Sequence, residues 1–294
     1  MVAGSDPVKL ASTQGTWAGP ASVFHGEGAF WDPRAEVFRY VDMLAGDVVT
    51  DPPGEQSRSH IGDIAALIRR RTRGGYVAAD ERGFVLLDDD LRQLQRVPVF
   101  DDTSVRMNEG ACDSAGRLFC GSMAYDTRPG AGSLYRLDPD LSVHVVLESV
   151  TVPNGLVWMR DGTLAVHVDT ADDAVYSYEF DVERGEFGRC EVFIDFSDVH
   201  GSPDGMALDE QGGLWIAMWG GGAVRRYDAS GVLVDVLELP VTNVTSCAFG
   251  GEDGRTLLVT TSRDGIEEGT EPLAGLTYSV DVGVRGAPVY PFAG

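Results

Sequence analysis

Apolar and polar residues alternate with a period of two along most of this chain. Six such runs each follow a short turn sequence rich in Gly, Asp, Pro or Ser. The runs are EVFRYVD (36–42), GYVAAD (75–80), RLFCGSM (117–123), TLAVHVD (163–169), GLWIAMW (213–219) and RTLLVTT (255–261). Alternation bounded by turn residues is typical of half-buried β-strands. The pattern therefore predicts an all-β protein.

A second alternating run follows five of these strands and ends in Asp. These runs are GFVLLD (83–88), GSLYRLD (132–138), AVYSYEFD (174–181), GAVRRYD (222–228) and GLTYSVD (275–281). The turns that precede the first set reach residues 35, 74, 116, 162, 212 and 254, in steps of 39, 42, 46, 50 and 42. Intervals of about 40 to 50 residues are typical of propeller blades. Six units predict a six-bladed β-propeller, whose radial closure protects the sheet edges.

The predicted propeller fills nearly the whole chain. Residues 63–71 (DIAALIRRR) alone have helical character, and they are too short and too close to Gly74 and Gly75 to alter the prediction. A chain of 294 residues with 43% hydrophobic content buries about three quarters of its unfolded surface on folding. We expect an N-terminal tail at 1–16 and one propeller domain at 17–294.

The charge and the apolar content limit the partners that this chain is expected to have. The formal net charge is −23, which disfavours nucleic acids and anionic membranes. Neither 18 consecutive apolar residues nor a basic start followed by an apolar stretch is present. We expect a cytoplasmic protein, monomeric or homodimeric, whose partner is a small molecule and which binds neither nucleic acid nor membrane.

The cysteines agree with a reducing compartment. Cys112, Cys120, Cys190 and Cys247 form no CxxC pair and lie in or beside the alternating runs. This arrangement predicts buried thiols better than a disulfide framework.

Four times a carboxylate or carboxamide stands directly before a glycine that opens an apolar run. These sites are GEGAF (26–30), NEGA (108–111), PNGLV (153–157) and PDGMA (203–207). They lie 81 (27 to 108), 46 (108 to 154) and 50 (154 to 204) residues apart. The innermost strand of a blade runs along the channel, where glycine allows backbones to crowd. Glu27, Asn154 and Asp204 are therefore predicted to converge on the propeller axis.

Such a set would form an axial metal site. Two carboxylates and one amide oxygen suit one divalent cation, Ca²⁺, Mg²⁺ or Mn²⁺, and Zn²⁺ also accepts carboxylate ligands. Coordination positions left open for water and substrate indicate catalysis. Asn-Gly and Asp-Gly are also common turn dipeptides, but their recurrence at blade spacing favours the site.

Arg106 and Asn108 stand two residues apart, so they point to the same face of an extended strand. Arginine offers a rigid fork of donors, and asparagine offers a donor and an acceptor, which suits a polyhydroxylated or carbonyl-bearing ligand. A surface salt bridge beside a strand-entry turn is the alternative, and the pair by itself does not decide between them.

Longer segments carry a family resemblance. From about Trp17 to Gly294 the chain resembles the senescence marker protein, gluconolactonase and luciferin-regenerating group, the regucalcin-like sugar lactonases. The segments are HGEGAFWDP (25–33), RMNEGACDSAGRLFCGSM (106–123), GSLYRLD (132–138), VPNGLVW (152–158), SPDGMALDEQGGLWIAMWGGGAVRRYD (202–228) and TSCAFGGEDGRTLLVTTSRDG (245–265).

The resemblance implies a six-bladed propeller with one catalytic divalent metal on Glu27, Asn154 and Asp204. It implies that Arg106 and Asn108 contact the substrate, and it places a further acidic contact on Asp126. Tyr125 departs from the acidic residue of regucalcin, so the sugar preference does not transfer.

Smaller departures fall near the predicted pocket wall. His167 to Thr170 stand where relatives often carry a tyrosine-containing strand, and Val241 to Val244 replace the more usual sequence before Thr245. His25, His60, His144 and His200 are expected to be structural or exposed and not ligands, and a place at the channel mouth near Asp204 is the less favoured alternative for His200.

The predicted activity is the metal-dependent hydrolysis of a sugar lactone to the aldonic acid. The cation would polarise the ester carbonyl and lower the pKa of a bound water, and Asp204 would act as the base. Two alternatives stay open. One is hydrolysis of other esters or phosphotriesters on the same fold, and the other is a non-enzymatic calcium-binding propeller.

Overall fold

Six sheets surround a central channel in this computed structural model, which describes residues 8–9, 16–18, 23–51 and 56–294. The strands are numbered in chain order. Strands β1 (Val8–Lys9) and β2 (Thr16–Ala18) come first and join the last two blades. The predicted all-β, six-bladed propeller is confirmed.

Each blade is an antiparallel sheet built from consecutive strands. Blade 1 holds β3 (Gly26–Asp32), β4 (Val37–Asp42), β5 (Asp47–Asp51) and β6 (Ser57–His60). Blade 2 holds β7 (Leu67–Arg70), β8 (Tyr76–Ala79), β9 (Gly83–Leu87) and β10 (Gln93–Pro98). Blade 3 holds β11 (Val105–Cys112), β12 (Leu118–Ala124), β13 (Gly132–Leu137) and β14 (Val143–Val150).

The remaining blades follow the same order. Blade 4 holds β15 (Pro153–Met159), β16 (Leu164–Asp169), β17 (Ala174–Asp181) and β18 (Glu186–Asp195). Blade 5 holds β19 (Ser202–Leu208), β20 (Leu214–Trp219), β21 (Ala223–Tyr227) and β22 (Leu233–Glu238). Blade 6 holds β23 (Val244–Gly250), β24 (Thr256–Thr261) and β25 (Thr277–Asp281). Single-turn 3-10 helices cover Met43–Ala45, Arg160–Gly162 and Thr170–Asp172.

The two ends of the chain help to close the ring. Strand β2 pairs antiparallel with β25 and completes blade 6, while β1 pairs parallel with β22. The first strands of the blades, β3, β7, β11, β15, β19 and β23, contact one another in a closed circle. These six strands line the channel and carry every predicted metal ligand.

Apolar side chains fill the space between neighbouring blades. Between blades 3 and 4, Phe119 lies 5.3 Å from Trp158 and 5.9 Å from Phe180, measured between ring centroids. Burying one such ring contributes about 2 to 3 kcal/mol. This packing fixes the relative positions of the inner strands, and therefore of the side chains in the channel.

The predicted strands are confirmed, including all eleven alternating runs. The short segment with helical character contains no helix, and its second half forms β7. Cys112, Cys120 and Cys247 are buried as predicted, but the prediction for Cys190 is wrong. Cys190 lies on β18, the outermost strand of its blade, where most side chains are exposed.

Most of the predicted tail at 1–16 lies outside the described residues, and the domain division stays a prediction. Among the residues that the structure describes, no helix is long and apolar enough to cross a membrane.

Candidate active site

A shift in strand register occurs at an equivalent place in five of the six inner strands. The shifts fall between Glu27 and Phe30, Met107 and Gly110, Pro153 and Leu156, Pro203 and Met206, and Val244 and Ser246. A β-bulge leaves residues unpaired and redirects their side chains, and bulges are frequent beside active sites. The residues freed here include Asn108, Glu109, Asn154 and Asp204.

Glycine follows these side chains because the backbones approach closely. A Cβ atom on Gly155 would lie 2.9 Å from the carbonyl oxygen of Asp204. A Cβ atom on Gly110 would lie 1.8 Å from the carbonyl oxygen of Phe119, which is too close for any side chain. Gly155 therefore sets how near the inner strands β15 and β19 come to one another, and Gly110 sets how near β11 comes to β12 in the same blade.

Three buried carboxylates meet at the axis. Glu27, Glu109 and Asp204 each place a carboxylate oxygen within 4.8 Å of the other two. The three residues are 3%, 6% and 3% exposed. Like charges this close in a buried site repel one another strongly unless cations neutralise them.

Burial and mutual repulsion change the acidity of this cluster. Burial raises the pKa of Glu27 well above its ordinary value, and the charges of Asp204 and Glu109 raise it further. Burial and the charge of Glu109 raise the pKa of Asp204 in the same way. Burial raises the pKa of Glu109 to about 7, while the charge of Arg69 opposes that rise. Such a cluster favours a bound cation.

Two buried arginines flank the cluster. Arg69 donates from Nη1 to the carbonyl oxygen of Gly28 at 3.0 Å and from Nη2 to that of Gly110 at 2.9 Å. It thereby ties two inner strands together beside Glu109. Arg106 is 8% exposed and lowers the pKa of both Glu27 and Asp204.

A chain of hydrogen bonds leads away from Arg106 across three blades. Arg106 Nη1 donates to Asn108 Oδ1 at 2.7 Å, and Asn108 Nδ2 donates to Asn154 Oδ1 at 3.1 Å. Asn154 Nδ2 then donates to Thr170 Oγ1 at 2.7 Å, and Thr170 donates to the carbonyl oxygen of Pro203 at 2.7 Å. The predicted substrate pair and a predicted metal ligand thus belong to one network.

The donor set fits a hard divalent cation. Asp204 Oδ1 and Glu109 Oε2 are buried without a hydrogen-bond partner in the described part of the chain. Buried oxygens normally have a partner, and a cation satisfies carboxylate oxygens directly. The residues available to hold it are Glu27, Asn154 and Asp204, with Glu109 beside them.

His25 lies next to the cluster. Its Nδ1 is 2.8 Å from Ser262 Oγ, and its Nε2 is 3.9 Å from Glu27 Oε1. Burial lowers the pKa of His25 to about 4, so its ring is neutral near pH 7. The ring packs 5.9 Å from that of Trp219. These contacts fit the structural role that the sequence suggested.

In the described residues, the other polar candidates belong neither to the carboxylate cluster nor to this hydrogen-bond chain. Asp126 has a 64% exposed side chain that pairs with Arg128 at 3.0 Å, and the structure does not join it to the buried network. Tyr125 is half exposed and donates to Glu81 Oε1 at 2.7 Å. His200 is exposed, and His167 is buried in the middle of β16.

The channel is polar around the carboxylates and becomes largely apolar beyond the bulges. The residues that follow the bulges line a cavity of about 100 Å³. Its walls are largely apolar and include Phe30, Leu156, Trp158 and Phe249, with Arg69 and Glu109 as charged members. Glu109 therefore lies where the polar half of the channel meets the apolar half.

Glu109 was not among the predicted ligands. Its sequence position contained the signal, because Glu109 stands directly before Gly110, as Glu27, Asn154 and Asp204 stand before their glycines. The bulge brings Asn108 and Glu109 to the site together, one as a hydrogen-bond partner and one as a carboxylate.

Comparison with known proteins places this geometry in a family. A family profile described as the SMP-30/Gluconolactonase/LRE-like region matches residues 25–263. The pentonolactonase of Haloferax volcanii is 35% identical over 276 residues, which cover 90% of this chain and 93% of that protein. Regucalcin of Danio rerio is 31% identical over 279 residues, covering 92% and 95%.

A solved structure agrees over almost the whole molecule. The calcium-binding protein regucalcin from Agrobacterium tumefaciens superposes with a TM-score of 0.90 at 26% identity, covering 95% of this chain and 97% of that one. On the family profile and these relatives together, the protein belongs to the SMP-30/Gluconolactonase/LRE-like family.

Proposed function

We propose that this protein is a metal-dependent hydrolase that opens a sugar lactone to the aldonic acid. The observation that carries the proposal is the buried cluster of Glu27, Glu109 and Asp204, with Arg106 and Asn108 in a network beside it. Kinship to a pentonolactonase supports the substrate class. The reaction makes the protein a carboxylic ester hydrolase.

One divalent cation is the proposed cofactor, held by Glu27, Asn154 and Asp204, with Glu109 as an additional carboxylate. Four oxygen donors leave positions open in the six- to eightfold shell of Ca²⁺ and in the sixfold shell of Mg²⁺. Mn²⁺ and Zn²⁺ accept the same ligand types. When bound, such an ion polarises an ester carbonyl and makes a neighbouring water more acidic.

Arg106 and Asn108 are proposed to orient the lactone. Within the described residues, the hydrogen bonds of Arg106 all leave from Nη1, so Nη2 is available to a ligand oxygen. Asn108 holds Arg106 in place through its Oδ1. Fixing the hydroxyl groups and the ester in one orientation lowers the entropic part of the barrier. Asp126, at the exposed rim, is proposed as an outer contact for the sugar.

Asp204 is the proposed general base. Its Oδ1, unpartnered within the described residues, is offered to the cation, and the carboxylate has a second oxygen that can take a proton from an attacking water. Burial and the charge of Glu109 raise the pKa of Asp204, Arg106 opposes that rise, and a bound cation would favour the ionised form that a base requires. The proton taken up by Asp204 is then available to the alcohol that leaves when the ring opens.

The test is a matrix of substrates and metals. Metal-stripped protein is assayed for initial rates on glucono-, galactono-, xylono- and arabinono-lactone after addition of Ca²⁺, Mg²⁺, Mn²⁺ or Zn²⁺ in turn. A phosphotriester and a simple aryl ester are assayed in parallel. We expect at least one lactone to be opened rapidly with a restoring ion and slowly without it.

Three results would overturn the proposal. Turnover of the phosphotriester or the aryl ester without any lactone would assign another hydrolase activity to the site. Tight cation binding that stabilises the fold without any turnover would assign a structural role to the metal. Equal lactone rates with and without metal would remove the cation from the reaction.

A further inference from the structure

Thr170 lies directly after β16 and reaches the site from the next turn. Its backbone N–H donates to the carbonyl oxygen of Val152 at 3.0 Å. Asp169 accepts from the backbone N–H groups of Thr151 at 2.7 Å and Val152 at 2.8 Å, and it also caps the turn that begins at Thr170. The backbone of Thr170 is therefore fixed against the segment that leads into Asn154.

The hydroxyl group of Thr170 has only one possible arrangement. Its neighbour on one side is the carbonyl oxygen of Pro203, which only accepts hydrogen bonds. A hydroxyl has a single proton, and this proton is used on Pro203. Toward Asn154, Thr170 must therefore accept, and the NH₂ group of the Asn154 amide must face Thr170.

At the Arg106 end of the network, the same reasoning fixes the orientation of the Asn108 amide. Arg106 only donates, so the oxygen of Asn108 faces Arg106 and its NH₂ group faces away. That NH₂ group donates to the carbonyl oxygen of Pro153 at 2.8 Å and to Asn154 Oδ1. A donor-only group at one end and an acceptor-only group at the other thus set the orientation of both amides.

We infer that Thr170 is a positioning residue for the metal site, because it holds the Asn154 amide with its oxygen turned away from blade 5 and toward Asn108. This inference rests on the proposed function, since it takes Asn154 as a ligand of the cation. An amide oxygen has two lone pairs, and only one of them accepts from Asn108. The second lone pair of Asn154 Oδ1 is available to a cation, and the hydrogen bond to Thr170 sets its direction.

Removal of the Thr170 hydroxyl group leaves the Asn154 amide less firmly oriented. In Thr170→Val the shape of the side chain is kept, but the Asn154 NH₂ group loses its acceptor and the Pro203 carbonyl loses its donor. Groups that orient metal ligands from behind typically influence metal affinity 10- to 100-fold. Since Asn108 still opposes a complete flip of the amide, we expect the lower end, about tenfold weaker binding.

The experiment measures the Kd of Ca²⁺ and of Mn²⁺ by calorimetry on metal-stripped protein, without any substrate. Thr170→Ser keeps both hydrogen bonds and should bind within about twofold of the unsubstituted protein. Thr163→Val is the matched control, because Thr163 donates to the carbonyl oxygen of Arg160 at 2.8 Å at the opposite end of the same strand. This control should also leave the Kd unchanged within about twofold.

Unchanged cation affinity in Thr170→Val would overturn the inference, and so would equal weakening in Thr163→Val. If Thr170→Val does not fold, hydrogen exchange of the Asn154 side-chain NH₂ in the unsubstituted protein replaces it. Protection of that group is expected, and rapid exchange would show that Thr170 does not hold the Asn154 amide. Failure of the unsubstituted protein to bind either ion would reject the proposed function itself. Tight binding without lactone turnover would reject the activity and leave the role of Thr170 intact.

Discussion

A carboxylate oxygen of Glu109 lies within 4.8 Å of one of Asp204, although the two residues are 95 positions apart in the chain (109 to 204). Glu27 completes the cluster from a third blade. Three buried carboxylates at this distance are stable together only when protons or cations reduce their charge. Two of the predicted ligands thus share the axis with a carboxylate that the family resemblance did not assign.

Glu109→Gln tests that third carboxylate. The substitution keeps the size of the side chain and removes one negative charge from the cluster. We expect the metal-free protein to gain stability, since repulsion on Glu27 and Asp204 falls, while the Kd for Ca²⁺ rises about tenfold or more. Chemical unfolding with and without Ca²⁺, together with calorimetric titration, measures both effects.

Glu191→Gln provides the control for this prediction. Glu191 is exposed on the outer strand β18, so its replacement removes the same charge far from the axis. The stability of the metal-free protein and the Kd for Ca²⁺ should both stay unchanged in this variant. A Glu109→Gln protein with unaltered affinity would exclude Glu109 from the metal site.

Asp204→Asn should retain the fold and lose most lactone turnover. The amide removes the proton acceptor and weakens one metal ligand, and general base catalysis typically contributes 10² to 10⁴ in rate. Turnover is measured at saturating metal, so that a lower cation affinity does not account for the loss. Activity close to that of the unsubstituted protein under those conditions would reject Asp204 as the base.

Asp126→Asn should weaken substrate binding without slowing the chemical step. Because the Asp126 side chain is 64% exposed and pairs with Arg128, we expect it to contact only the outer part of a sugar. A contact made equally in the ground state and the transition state changes KM and leaves kcat unaltered. Steady-state kinetics on the preferred lactone should show a raised KM. Unchanged KM and kcat would remove Asp126 from the substrate contacts.

Removal of the metal should destabilise the protein. A ligand that binds only the folded state at 100 times its Kd contributes about 2.7 kcal/mol to the free energy of unfolding. We therefore expect chelation to lower the Tm by several degrees, and re-addition of Ca²⁺ or Mg²⁺ to restore it. Thermal unfolding over a series of ion concentrations checks this dependence. A Tm that is independent of ion concentration would contradict the proposed cofactor.

His167 should make the fold sensitive to acid. Burial lowers the pKa of His167 from 6.5 to about 4, and its Nε2 has no hydrogen-bond partner within the described residues. The unfolded chain takes up a proton below pH 6.5 while the folded chain does not, so stability falls as the pH drops from about 6.5 to about 4. At pH 5 the loss amounts to about 2 kcal/mol.

His167→Leu removes this titration and also removes the unpaired nitrogen. The difference in unfolding free energy between the two proteins should change by about 2 kcal/mol between pH 8 and pH 5, in favour of the variant at low pH. Denaturant unfolding at both pH values measures it. Parallel stability curves for the two proteins would show that His167 does not titrate in this range.

Much of the fold was predictable from the chain alone. Period-two alternation, turn residues and the 39- to 50-residue steps fixed the strand class, the number of blades and the location of the inner strands. These features are local, because strand periodicity and turn chemistry depend on a few consecutive residues. The same repeat placed Glu27, Asn154 and Asp204 at equivalent positions, and the structure brings Glu27 and Asp204 together and joins Asn154 to Asn108.

Only the tertiary structure decided which neighbouring side chains share the site. Strict alternation puts Asn108 and Glu109 on opposite faces, but the bulge between Met107 and Gly110 brings both to the channel. A bulge depends on how the partner strand pairs, which the local sequence does not contain. Likewise, the link from Asn154 to Thr170 and Pro203 joins blades 4 and 5, and it exists only after the ring has closed.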